Sequence, residues 1–159
     1  MTRDARPLHR TPSALAAVAL GGIVGTASRW QAGQWYPTPH GTWPRATFAV
    51  NLAGAFVLGV LLEALARSGP DAGRRRTLRL LGGTGFCGSL TTYSALAVET
   101  DLLVRDGALG LAAAYLATTV VAGLACTTGG VALAAWGHRA AALPDDPDAP
   151  DAVDTGATR

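Results

Sequence analysis

The chain has 159 residues, 49% of them hydrophobic and only 15% charged, and its mean hydropathy is positive, which moves the class from soluble domain to integral membrane protein. Lysine is absent, all 13 basic residues are arginine, and the formal net charge of +2 carries no information about partners. Cys87 and Cys126 lie in apolar stretches without CxxC spacing, so neither a disulfide framework nor a cysteine metal site is expected.

Uncharged stretches run from Thr11 to Ser28, Ala46 to Leu62, Leu80 to Val98 and Gly107 to Gly137. Each is near or above the roughly 20 residues that a spanning helix needs. The predicted fold is an all-α membrane protein with four transmembrane helices: an N-terminal segment over 1–12, one membrane domain over 13–137, and a disordered acidic tail over 138–159 holding Asp145, Asp146, Asp148, Asp151 and Asp154. The first span lacks a cleavage pattern and is read as retained. Its Gly21 and Gly25 share one face, a packing signal for close approach of another helix.

In the second span Asn51 is the one strong polar group in the apolar part, with Gly54, Ala55 and Leu58 on its stripe. An amide there faces protein or water, either as an interhelical hydrogen bond or as a pore-lining group. The third span is the most informative. Gly82, Gly83, Gly85 and Gly88 are followed by Ser89, Thr91 and Thr92, which lower helix propensity and compete for backbone hydrogen bonds. A helix broken at its centre is expected, and irregular backbone at membrane depth survives only against protein or an aqueous site. The fourth span carries Tyr115, Thr118, Thr119, Cys126, Thr127 and Thr128. These side chains either form a polar track or bond back to their own backbone.

With four spans, the termini and the second loop share one side. Arg3, Arg6, Arg10, Arg67, Arg74, Arg75, Arg76, Arg79 and Arg139 fall there, against Arg29, Arg45 and Arg105 on the other. Both termini are therefore expected in the cytoplasm. The triplet Arg74 to Arg76 is explained by this topology signal, so no nucleic-acid partner is predicted. Trp30, Trp35, Tyr36 and Trp43 are expected at the outer headgroup level, in the first loop. Glu63 and Glu99 sit near helix ends, within reach of the interface or an arginine, and His9, His40 and His138 lie outside the spans or at their edge. A proton-coupled small multidrug exporter, the alternative from another class, is expected to carry a carboxylate deep inside a span.

The stretches GGIVGTASRW (Gly21 to Trp30), NLAGAFVLG (Asn51 to Gly59) and GTGFCGSLTTYSALAVE (ending at Glu99) together resemble the CrcB/Fluc family of small fluoride channels, over about residues 13 to 137. The resemblance implies a fluoride-specific channel, not an enzyme, in the cell membrane. It would lower cytoplasmic fluoride by passive export. Two four-helix subunits would pack antiparallel as a dual-topology dimer, with two narrow pores and a structural sodium ion at the dimer centre. Sodium would be held by main-chain carbonyls of Gly88 and Thr91, in keeping with a hard cation's preference for oxygen. Asn51, Thr92, Tyr93, Ser94, Tyr115 and Thr119 match positions of the fluoride pore, while Arg29 and Gly85 fall on structural positions of the matched motifs. A selective path must replace the water of a small, strongly hydrated anion with close donors.

Two departures stand out. Where the family has two phenylalanines three residues apart, this chain has Tyr93 and Leu96, and the hydroxyl expected one turn after Thr119 falls on Gly123. The arginine bias commits the chain to one orientation, whereas an antiparallel homodimer needs both. A heterodimer with a homologous, oppositely oriented subunit resolves this, and a non-conducting partner subunit is the third reading.

Overall fold

The computed structural model describes residues 11–141, and the described residues contain helices and turns with no strand. The expected N-terminal segment, up to residue 10, and the acidic tail beyond 141 lie outside the described residues. Helix α1 (Pro12–Trp35) starts on a proline whose fixed φ suits the first turn. Helix α2 (Arg45–Arg67) starts directly after Pro44 and ends before Gly69, whose φ of 117° no other residue adopts readily. The third span is composite: α3 (Gly73–Leu78), a π-helix (Arg79–Cys87), α4 (Gly88–Leu90), then α5 (Tyr93–Arg105). Gly107, at φ 76°, turns the chain into α6 (Leu109–Ala141).

All four helical regions overrun the hydrophobic stretches that mark them, because helical hydrogen bonding continues through the terminal charges Arg29, Arg67 and Arg105. For the same reason Trp30 and Trp35 lie on the last turns of α1, exposed, and not in a loop. Trp43 departs further from expectation. It turns inward, with ring centroids 5.4 Å from both Phe48 and Tyr115 in edge-to-face geometry.

Among the described residues, two helices are long and apolar enough to cross a membrane, Arg45–Arg67 and Leu109–Ala140, with mean hydropathy 2.0 and 1.9. The helices pack as parallel pairs. A methyl added to Gly21 would strike the Leu81 carbonyl, one on Gly25 the Phe86 carbonyl, and one on Gly85 would lie 2.6 Å from the Val18 carbonyl oxygen. So α1 and the π-helix run side by side with their backbones touching, as the Gly21 and Gly25 spacing predicts. The second pair is α2 with α6, where Gly130 sits against Phe56 and Gly59 against the Thr127 carbonyl. The apolar core is small: Leu96, Leu103, Ala112 and Tyr115, flanked by Trp43, Phe48, Ala108 and Leu111. Large side chains such as Leu20, Ile23, Val24, Val121 and Leu124 face outward. That outward apolarity suits lipid or another subunit as the surroundings.

Candidate functional site

The glycine run does not itself break the third span. It widens into the π-helix, a geometry that recurs at functional sites. The helix stops at Leu90; Thr91 (φ −77°, ψ 154°) and Thr92 (φ −150°, ψ 121°) are extended, and α5 begins at Tyr93. Extended backbone inside a helical bundle needs partners for its polar groups. Asn51 provides them from α2. Its Nδ2 donates to the Thr92 carbonyl at 3.0 Å, and its Oδ1 accepts from the Thr92 N–H at 2.7 Å. A methyl on Gly54, one turn further along, would collide with the Thr91 methyl group, so the glycine lets α2 approach the break. The Thr92 hydroxyl caps α5 by accepting from the Ala95 N–H at 3.1 Å and also meets the Ser94 hydroxyl at 3.1 Å.

These bonds change what the nearby carbonyls can do. In an unbroken helix the Thr92 N–H would go to the Gly88 carbonyl and the Ala95 N–H to the Thr91 carbonyl. Here the first goes to Asn51 and the second to Thr92 Oγ1, so neither carbonyl receives its ordinary helical partner. Thr91 Oγ1 meanwhile donates to the Cys87 carbonyl at 2.9 Å.

Two cavities flank the break. One, about 460 Å³, is lined by Arg29, Thr47, Val50, Thr92, Ser94 and Val98, among others. Arg29 has no ion pair there among the described residues. The other, about 320 Å³, is lined by Asn51, Gly54, Leu58, Thr92, Tyr93 and Leu96, among others. The structure thus brings Asn51, Thr92, Tyr93, Ser94 and Arg29 around one break. Tyr93 is 80% exposed, whereas Leu96 is buried in the core.

Tyr115 and Thr119 stand apart from this group. The buried Tyr115 hydroxyl donates to Glu99 at 2.7 Å, and Thr119 donates to the Tyr115 carbonyl at 2.7 Å. Thr127 and Thr128 likewise bond back to Gly123 and Ala125 of their own helix. Glu99 also accepts from the Thr47 hydroxyl at 2.6 Å, so a carboxylate bridges α2, α5 and α6. Its partners are hydroxyls and not the arginine or interface expected of a helix-end acid; Glu63 does pair with Arg67, at 2.6 Å. Glu99 and Thr47 were not singled out from the sequence as site residues. The signal was present, since Leu96, Glu99 and Leu103 follow the three- and four-residue spacing of one buried helix face.

Comparison with known proteins places the chain in a family. Residues 16–131 match the profile of the family described as CrcB-like protein, Camphor Resistance (CrcB). A protein of Leifsonia xyli subsp. xyli named fluoride-specific ion channel FluC 2 is 44% identical over 133 residues, which cover 84% of this chain and 91% of that one. FluC 1 of Cutibacterium acnes is 45% identical over 129 residues, 81% of this chain and 85% of the relative. FluC of Chlorobaculum tepidum is 41% identical over 120 residues, 74% and 90% of the two chains. With a profile match running through every helix and relatives aligned over most of their length, the chain belongs to the CrcB family.

Proposed function

We propose that this chain is a subunit of a fluoride-specific channel that lets fluoride leave the cytoplasm down its gradient, as a passive conductor and not an enzyme. The names of its relatives support the ion, and one structural observation supports the path. At the break, the N-terminus of the 13-residue helix α5 opens beside the Arg29 guanidinium, the Ser94 hydroxyl and the Asn51 amide. A helix N-terminus and an arginine attract an anion, while N–H and O–H donors replace its water. Asn51 uses one of its two N–H bonds on Thr92, which leaves the other for fluoride. Tyr115 and Thr119 would join the path by turning their hydroxyls from Glu99 and from the helix backbone. Weak-acid chemistry explains the need: HF crosses a bilayer neutral, ionises inside, and the trapped anion requires a conductive exit.

The chain spans the cell membrane four times with both termini in the cytoplasm, as its arginines favour. Two subunits pack antiparallel as a homodimer or with a homologous subunit. The exposed Tyr93 ring, the Arg29 cavity and the exposed apolar faces support a neighbour that completes the pore. The donor set fits a structural sodium ion at the dimer centre: the Gly88 and Thr91 carbonyls would hold it, since both have lost their helical donors and a hard cation takes oxygen ligands. Such an ion would tie the two subunits together at their breaks. The heterodimer is favoured by Leu96, which lines the smaller cavity where a second ring is expected.

The test is fluoride efflux from liposomes holding this chain alone, read with a fluoride electrode after addition of a potassium ionophore, with chloride as control. Fluoride-only release establishes a self-sufficient channel. Silence that persists with an oppositely oriented homologous partner overturns the reading.

A further inference from the structure

We infer that the two ends of the Asn51 amide serve two different ions: Oδ1 holds the Thr92 N–H away from the Gly88 carbonyl and so keeps that carbonyl available as a cation ligand, while Nδ2 faces the anion path. The inference rests on the sodium reading above and assigns Asn51 a positioning role in it. Thr92 is the one residue at the break whose N–H and C=O are both held by a single side chain from another helix, at 2.7 and 3.0 Å. Two acceptors compete in principle for the Thr92 N–H, of which the structure shows Asn51 holding it. One is the Gly88 carbonyl, which would continue the helix through Thr91; the other is Asn51, which stops it. Deleting the amide returns the N–H to Gly88, closes the break and removes a ligand from the cation. The surroundings permit this competition, because Gly54 leaves α2 close against Thr91 and the Thr92 hydroxyl is already engaged in capping α5.

Asparagine is well suited to both tasks. Alanine lacks both atoms. Aspartate retains an oxygen for the Thr92 N–H but has no N–H for an anion or for the Thr92 carbonyl. The two substitutions therefore separate the roles. A partner that orients a metal ligand from outside the coordination sphere changes metal affinity by about 10- to 100-fold when removed.

The experiment uses the full chain in neutral-lipid nanodiscs. Thermal unfolding is followed by tryptophan fluorescence while sodium is titrated against N-methylglucamine at constant ionic strength, with fluoride efflux measured in parallel. The wild-type protein is expected to be stabilised by sodium, Asn51→Ala to need about tenfold more sodium for the same shift, and Asn51→Asp to keep the sodium shift while losing fluoride efflux. An unchanged sodium titration in Asn51→Ala overturns the inference, as does loss of the sodium shift in Asn51→Asp. Should Asn51→Ala fail to fold, Asn51→Asp decides alone. A wild-type protein indifferent to sodium overturns the sodium reading and this inference together, a result distinct from a sodium-sensitive wild type with an unaffected Asn51→Ala.

Discussion

The third span and α6 are built from the same unpromising residues and end differently. Both carry glycines and threonines through their middles, Gly82, Gly83, Gly85, Gly88, Thr91 and Thr92 in one and Gly123, Gly129, Gly130, Thr127 and Thr128 in the other. Yet α6 is a continuous helix of 33 residues, and the third span breaks at Thr91 and Thr92. Low intrinsic propensity is therefore not the deciding factor. In α6 each threonine hydroxyl named above bonds to its own backbone, and among the described residues no side chain of a neighbouring helix offers itself to that backbone. At Thr92 the Asn51 amide does, with both its atoms. A membrane helix breaks where something else will take its hydrogen bonds.

That contrast fails most severely if the third span loses its backbone contact with α1. Gly25→Val would drive side-chain carbon into the Phe86 carbonyl, and a loss of about 3 kcal/mol is expected. The matched substitution in α6, Gly129→Ala, meets nothing within 4 Å and is expected to be neutral or to stabilise by up to about 1 kcal/mol. Thermal unfolding in detergent distinguishes the two; equal losses would mean that both spans depend on the same kind of packing. A smaller effect separates hydroxyls that reach another helix from hydroxyls that do not. Tyr115→Phe removes one of the two hydrogen bonds on Glu99 and should cost about 1–3 kcal/mol. Thr119→Val removes a bond within α6 and should cost less than about 1 kcal/mol, while reducing fluoride efflux if its hydroxyl turns to the ion as proposed. Retained efflux in Thr119→Val would show that this hydroxyl stays on the Tyr115 carbonyl and stands outside the path.

What the sequence made legible follows from which interactions are local. The Gly21 and Gly25 face acts through simple absence of a side chain, and the fold keeps it in that role. Asn51 was read as either interhelical glue or a pore group, and its two bonds to Thr92 are interhelical, with one N–H left over. The position of the break was less accessible. The glycines and hydroxyls of 82–92 mark the broken stretch but not the residue at which the helix stops, because the partner that sets the break lies 41 residues away on α2. The partners of Trp43 and Glu99 were hidden for a related cause. Each lies near a predicted membrane edge, where lipid and water suit it, and only the meeting of α2, α5 and α6 supplies Tyr115 as a better neighbour.

The smallest expected effect concerns how the two spans are entered. The chain reaches α6 through a turn at Gly107, but reaches the third span through a loop tied by charge: Asp71 takes Arg79 at 3.2 and 2.7 Å, and the Arg76 guanidinium bonds its carbonyl at 2.8 Å. The hydrogen bond from Arg79 holds the Asp71 carboxyl below its usual pKa; desolvation opposes it, and the Arg79 and Arg76 charges add to the lowering. A carboxyl lowered on folding stabilises the folded state above its unfolded pKa, near 4, and that contribution disappears as pH falls through the lower folded value. Asp71 is exposed, so the contribution is small and screened by salt. Asp71→Asn should therefore lower thermal stability slightly at neutral pH and low salt, and the difference from wild type should vanish in strong acid or at high salt. A difference that persisted in acid would place the role of Asp71 in the shape and neutral hydrogen bonding of its side chain, not in its charge, and the entry to the third span would then depend on loop shape, as the turn at Gly107 does.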